Sequence, residues 1–305
     1  MTNKILKSKI KSLLNKLPYL QGMAKKLEFY KNSFWAPPGH FYSPVINLEE
    51  VLKRKEQIFK NPEIETYGVD LNVSQQLQLL HSFSQLSEIP FFPNKTDGFR
   101  YYYENKFFTY SDGFFLKSIL LHFRPKSIIE VGSGFSSALM LDVSAIEFSN
   151  SIKLTFIEPF PENRFNKIVR ESDQFTLIKG FVQDLELEVF KELKSNDILF
   201  IDSSHVVKTG SELNFLLFEV FPVLSPGVII HFHDIFYPFE YPMDWALEKR
   251  SWNENYFLRA FLMHNPDFRI LIFNSFLSKF YKREMGESSG ILLKESGSSL
   301  WIQKV

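Results

Sequence analysis

From residue 112 onward, short apolar and β-branched runs alternate with stretches of helical period. The runs fall at 127–131, 154–157, 176–178, 198–201 and 228–231. Brief apolar runs bounded by turn residues read as strands, and strand–helix alternation predicts a parallel sheet covered on both faces. Two later runs, 268–273 and 300–303, are joined by a charged, glycine-bearing segment and predict an antiparallel hairpin at one sheet edge. The expected fold is α/β: a doubly wound, Rossmann-like, mostly parallel seven-stranded sheet with a C-terminal antiparallel hairpin.

Ahead of this domain, assigned to 111–305, residues 1–110 predict a helical and loop extension that serves as a lid or acceptor side. Ile5, Leu6, Ile10, Leu13, Leu14 and Leu17 recur so that they share one face of a basic amphipathic helix. Residues 35–44 carry three prolines and a glycine, which rule out regular structure. Helices are expected over 48–59 and 74–86, followed by an irregular aromatic region from 90 to 110.

Charge and composition narrow the function. The 305 residues hold 35 basic and 35 acidic side chains and no cysteine, which excludes disulfide scaffolds and thiolate metal sites. A neutral chain without a base-reading motif argues against a nucleic-acid partner. No stretch of 18 apolar residues occurs, so the expectation is a cytoplasmic protein. Residues 1–31 stand apart, with eight lysines and one acidic residue; they read either as a helix docked on the main domain or as a peripheral contact at the inner membrane face. Thirty-four phenylalanines supply material for aromatic pocket walls.

In a doubly wound sheet, ligands bind beyond the carboxyl ends of the strands. After the first strand comes Glu130-Val131-Gly132-Ser133-Gly134-Phe135-Ser136-Ser137, where the glycines permit a tight turn and the next helix directs N–H groups toward a ligand. The second strand ends at Glu158, 26 residues after Gly132, a carboxylate placed to accept ribose hydroxyls. Gln183 and Asp184 follow the third strand at the height of an adenine edge; Asp184 reads equally as a helix N-cap. Glu130, and Ser137 where a dinucleotide fingerprint wants a third glycine, speak against NAD. Asp202 and His205 follow the fourth strand, and His231, His233 and Asp234 end the fifth. Tyr101, Tyr102, Tyr103, Glu104, Asn105 and Tyr110, together with the aromatic segment 236–242, are candidates for an acceptor pocket, whereas Ser111 and Asp112 read as a helix N-cap.

Over about residues 110–305 this arrangement resembles the class I S-adenosylmethionine-dependent methyltransferases. The E-V-G-S-G loop, the acid ending the second strand, the Q-D after the third and the terminal hairpin carry the resemblance. The D-S-S-H and H-F-H-D segments resemble the branch that holds metal-dependent O-methyltransferases of sugars and natural products. The resemblance implies S-adenosyl-L-methionine as cofactor, held by Glu130, Gly132, Ser133, Gly134, Ser137, Glu158, Gln183, Asp184 and Asp202. It implies His205, Asp202 and Asp234 as the catalytic set, with His205 as general base. Mg2+ or another divalent cation would sit at Asp202, His233 and Asp234, a histidine replacing the first member of the usual acidic pair.

The implied activity is O-methylation of a small-molecule or glycan hydroxyl. A histidine with a pKa near ~6.5 can take the acceptor's proton while an in-line displacement proceeds. Two other readings use the same residues: an NAD-dependent oxidoreductase, and a catalytically silent Rossmann-like protein that binds a membrane or partner through its basic N-terminal helix.

Overall fold

The predicted strands form in a computed structural model that describes residues 18–86 and 92–305. They are β1 (Ser127–Val131), β2 (Lys153–Ile157), β3 (Thr176–Ile178), β4 (Ile198–Ile201), β5 (Ile229–Phe232), β6 (Phe268–Phe273) and β7 (Leu300–Lys304). One sheet takes all seven in the order β3-β2-β1-β4-β5-β7-β6. The first five strands are parallel, and β7 runs antiparallel between β5 and β6. Every residue of β4 and β5 is buried, as expected of strands covered on both faces.

Several strand boundaries shift by one residue: β2 begins at Lys153, β5 spans Ile229–Phe232 and β7 ends at Lys304. β5 starts one residue late because Val228 still belongs to a turn, its N–H bonded to Ser225 O, with Gly227 at φ +85°. The terminal pair is not a tight hairpin, since helices Asn274–Phe280 and Lys282–Ser288 lie between β6 and β7. The helix expected over 48–59 is two short ones, Leu48–Lys53 and Lys55–Ile58, separated at Arg54. The predicted N-terminal face from Ile5 to Leu17 lies outside the described residues.

The chain divides into two compact units: Met1–Lys60 with Pro242–Ser251, and Asn61–Tyr241 with Trp252–Val305. The sheet and the hydrophobic core belong to the second. Four helices of that unit matter below: α1 (Val73–Ser84), α2 (Tyr110–Phe123), α3 (Phe135–Glu147) and α4 (Glu254–Leu262). Among the described residues no helix is long and apolar enough to cross a membrane.

α2 is buried on most sides, with every residue from Ser111 to Leu121 in the interior. It stops at Arg124, whose left-handed φ of +49° closes the last turn just before Pro125. The next residues enter β1 under the control of Asp197, whose Oδ1 accepts the N–H groups of Lys126 and Ser127 at 2.9 and 2.8 Å.

The aromatic stretch before α2 is part of this core rather than a pocket wall at Tyr101 and Tyr103, which are fully buried. Phe92, Tyr101 and Tyr103 meet edge to face, with centroids 4.9 and 5.7 Å apart for Phe92–Tyr101 and Tyr101–Tyr103. Asn105 folds the loop on itself: its amide donates to Tyr102 O and Phe108 O, and its carbonyl accepts from Phe107 N–H and Phe108 N–H. Arg100 ties the segment to α3 through Asp142 at 2.8 Å and also pairs with Asp173. The Tyr101 phenol occupies the space beside Gly113, where an added Cβ would lie 1.9 Å from its oxygen.

Gly113→Ala therefore tests the packing. At an open helical position this change gains about 1 kcal/mol. Here it should cost roughly 1–3 kcal/mol through overpacking, read as a lower denaturant midpoint with an unchanged slope.

Candidate active site

The loop after β1 is shaped from behind by a buried acid. Glu130 has no solvent exposure, and Ser136 and Ser137 hydroxyls each donate to one of its oxygens at 2.5 Å. Ser137 Oγ in turn accepts the Gly134 N–H at 3.0 Å. Burial pushes the Glu130 carboxyl up to about 8; the two serines work against this, and the charges of Asp202 and Glu158 add to it. Glu130, Gly134 and Ser137 thus organise the turn, and the cavity beside it is lined by other residues.

That turn crosses the end of β4 at very close range. Gly132 has φ +84°, and a Cβ there would lie 1.9 Å from the backbone oxygen of Asp202. Its N–H bonds Ile157 O at 3.0 Å while Asp202 N–H bonds Val131 O at 3.0 Å, so three strand ends are locked together. Ser133 donates through N–H and Oγ to Glu158 Oε2 at 3.1 and 3.2 Å, and Phe160 N–H donates to Oε1 at 2.8 Å.

A cavity of about 330 Å³ opens above these ends, lined by Gly132, Glu158, Phe160, Phe181, Gln183, Asp202 and Ser203 among others. Gln183 Oε1 and Ser203 Oγ are buried there without a protein hydrogen-bond partner, polar atoms that a ligand can satisfy. Of the cofactor residues expected from sequence, Gly132, Glu158, Gln183 and Asp202 line the cavity. Ser133 acts through Glu158, and Asp184 lies exposed in the 3-10 turn Val182–Asp184, outside the lining.

Beside Asp202 lies a cluster of acids and imidazoles. His205 Nδ1 meets Glu254 Oε2 at 2.8 Å, and its Nε2 faces Asp202 Oδ1 at 3.6 Å and Asp234 Oδ2 at 3.7 Å. Burial opposes the charged imidazole, but the Glu254 hydrogen bond and the charges of Glu254, Asp202 and Asp234 raise the His205 pKa above its ordinary value. His233 Nδ1 stands 3.6 Å from both Asp202 Oδ1 and Asp234 Oδ1, with Asp112 Oδ2 3.6 Å from Nε2. Burial again opposes charge on His233, and Asp234, Asp202 and Asp112 together raise it well above the ordinary range. Asp202 is driven the other way: its burial is outweighed by His233 first and His205 next, which hold its carboxyl far below the usual range. His231 packs rather than reacts, stacked 3.7 Å from Phe200 with Nε2 at 2.9 Å from Ser299 Oγ.

Sequence reasoning missed three members of this cluster. Glu254 opens α4, and nothing in the Trp-Asn-Glu stretch sets it apart from a surface acid. Asp112 was expected as part of a helix N-cap, but Thr109 holds that position and the Asp112 carboxylate turns inward. Its Oδ1 accepts from Asn274 Nδ2, Ser298 N–H and Ser299 Oγ at 2.9, 3.0 and 2.6 Å. The available signal was an acid in the first turn of a helix that is otherwise mostly apolar. Ser298 donates to Asp234 Oδ1 at 3.0 Å from the lead-in to β7.

Asp202, His233 and Asp234, the residues expected to hold a divalent cation, converge, with His233 Nδ1 3.6 Å from a carboxylate oxygen of each acid. Among the described residues no group of three or more His, Cys, Asp or Glu side chains is arranged to hold a metal ion.

Residues 129–235, from β1 to just beyond β5, match the family described as a methyltransferase domain. An uncharacterized protein of Archaeoglobus fulgidus is 36% identical over 166 residues, covering 53% of this chain and 75% of that protein. The chain belongs to the family of this archaeal protein. Among solved structures it is similar to an SAH-bound methyltransferase of Podospora anserina, at 14% identity and TM-score 0.43 over 84% of this chain and 96% of that one. It is also similar to a putative caffeoyl-CoA O-methyltransferase of Staphylococcus aureus, at 16% identity and TM-score 0.38 over 85% of this chain and 99% of that one.

Two outcomes follow from the loop. Gly132→Ala should abolish nucleoside binding in calorimetry, because the clash is with backbone that cannot rotate away. Glu130 has a folded pKa of about 8 against an ordinary 4.5, so its contribution to stability is complete below about 4.5 and is lost as pH rises through about 8. Glu130→Gln should flatten the fall in denaturant midpoint between those limits; an unaltered pH profile would show that Glu130 ionises normally.

Proposed function

We propose that the protein is an S-adenosyl-L-methionine-dependent O-methyltransferase acting on a small-molecule or glycan hydroxyl. The observation that carries the chemical part is the Glu254–His205 pair. With Nδ1 committed to Glu254 at 2.8 Å, the reactive nitrogen is Nε2, directed to the strand ends where Asp202 bounds the cavity. The methyltransferase-domain match supports the cofactor and favours methyl transfer over the oxidoreductase reading.

The cavity residues fit a nucleoside. Glu158 Oε2 already accepts the Ser133 N–H and hydroxyl, but Oε1 accepts only the Phe160 N–H and keeps a second lone pair for a ribose hydroxyl. Gln183 Oε1 and Ser203 Oγ offer the buried unpaired atoms. When bound, S-adenosyl-L-methionine supplies an electrophilic methyl group on a sulfonium. The chain's own contribution is to hold an acceptor hydroxyl in line and remove its proton to His205 Nε2. Asp202 and Asp234, 3.6 and 3.7 Å from that nitrogen, stabilise the imidazolium that results.

The first measurement is calorimetric binding of S-adenosylhomocysteine, with NAD as the control. Binding of the former alone supports the cofactor assignment, whereas NAD binding alone would restore the oxidoreductase reading, and binding of neither would favour the silent scaffold. With cofactor binding established, His205→Ala should lower methyl transfer to a hydroxyl acceptor at least ~100-fold while leaving S-adenosylhomocysteine affinity unchanged. Retained turnover would remove His205 from the base role.

A further inference from the structure

The methyltransferase reading makes no use of the unit formed by the N-terminal segment, and that unit holds a concentration of exposed apolar side chains. Helix Pro18–Ser33 buries none of its residues. Tyr19, Met23, Leu27 and Tyr30 recur at helical spacing on one face and are 76%, 52%, 56% and 55% exposed. Lys26 and Lys31 flank this face, while Gln21, Lys25, Glu28 and Asn32 occupy the opposite side.

The loop that follows continues the surface. Trp35 is 87% and Phe41 79% exposed, although the loop itself is built: Gly39 N–H bonds Val45 O at 3.2 Å, Ser43 N–H bonds His40 O at 2.7 Å, and Asn47 Nδ2 bonds Gly39 O at 3.1 Å. Trp35 and Tyr42 meet with centroids 5.2 Å apart. A hydrogen-bonded turn that holds large aromatic rings outward is suited to insertion into an apolar medium.

Charge decides what that medium is. The first 31 residues carry eight lysines and one acid in a chain whose net charge is zero, so the remainder is net acidic by the same amount. A second copy of the chain meeting this helix face to face would set Lys26 and Lys31 against the same cations. An anionic bilayer offers opposite charge to the lysines, hydrocarbon to Met23 and Leu27, and headgroup depth to Trp35, Tyr19 and Tyr42. We propose that this helix and loop form a docking surface for an anionic lipid bilayer. The proposal is independent of the methyl-transfer chemistry.

The test is flotation of the full chain with vesicles of phosphatidylcholine alone and of phosphatidylcholine mixed with phosphatidylglycerol. Binding to the mixed vesicles that weakens in high salt is expected. Replacing Lys25, Lys26 and Lys31 together with Glu should weaken it at least ~10-fold, and Trp35→Ser with Phe41→Ser should do the same at unchanged charge. All five side chains lie at the surface, so unaltered far-ultraviolet circular dichroism serves as the folding control. Equal binding to neutral vesicles, no binding to either, or undiminished binding by both variants would overturn the proposal. So would a dimer in lipid-free sedimentation that the Trp35/Phe41 variant dissolves, since the face would then belong to a second copy.

Discussion

Between the turn after β1 and the end of β4 there is no room for a Cβ. The Asp202 carbonyl sits where any side chain on residue 132 would begin, and the rest of the site depends on that approach. Because the two ends nearly touch, the Gly132 N–H reaches Ile157 O and the Asp202 N–H reaches Val131 O. The carboxylates of Glu158 and Asp202 are thereby brought to one cavity from strands separated by β1. The serines after the turn complete the arrangement by holding Glu130, an acid with no other access to a partner. A buried carboxyl raised to about 8 is largely neutral at physiological pH, so the loop is braced from behind without placing another anion beside the ligand.

The second organising feature is electrostatic. Asp112, Asp202, Asp234 and Glu254 surround His205 and His233 within contacts of 2.8 to 3.7 Å. Isolated charges at this depth would be strongly destabilising, and removing one partner of such a set leaves the others uncompensated. The cluster holds together because its members are also tied to neutral donors. Asp112 draws on Asn274 and on the Ser298–Ser299 segment, and Asp234 draws on Ser298. The antiparallel β7, which extends the parallel sheet, therefore also delivers hydroxyls to the reacting edge.

Much of this was legible in sequence where a local signal matched a local constraint. Parallel strands buried on both faces read as continuous apolar runs, which is why β1 and β4 fall at the expected residues; the edge strands β3 and β6 do so through their own short apolar runs. Residues immediately after strands were also legible, and Gly132, Glu158, Gln183 and Asp202 do line one cavity. Relations across long sequence separations were not. Glu254 approaches His205 from 49 residues away, through a helix whose start has no distinguishing pattern. Adjacent acids and a histidine supply in sequence the inventory of a cation site, and only the fold shows how closely the His233 imidazole meets both carboxylates. Tyr101 and Tyr103 resemble pocket aromatics in sequence, and their burial follows from Gly113 and Asn105, whose roles appear only when the loop is closed.

His205 and Asp234 are both non-glycine residues in the left-handed region, at φ +61° and +59°. Such conformations cost on the order of 1–3 kcal/mol and persist where surrounding contacts over-determine them. For His205 those contacts come from one place. Asn253 N–H donates to the His205 carbonyl at 3.1 Å, its side-chain oxygen accepts Val207 N–H at 2.7 Å and its amide donates to Val207 O at 3.1 Å. Glu254, the next residue, takes the imidazole. Backbone and side chain of His205 are thus set by the same two residues at the start of α4, so the direction of Nε2 is a property of how α4 docks on the end of β4. The base proposed for the reaction is oriented by a helix that follows the matched methyltransferase region in sequence, and its position depends on residues outside that region.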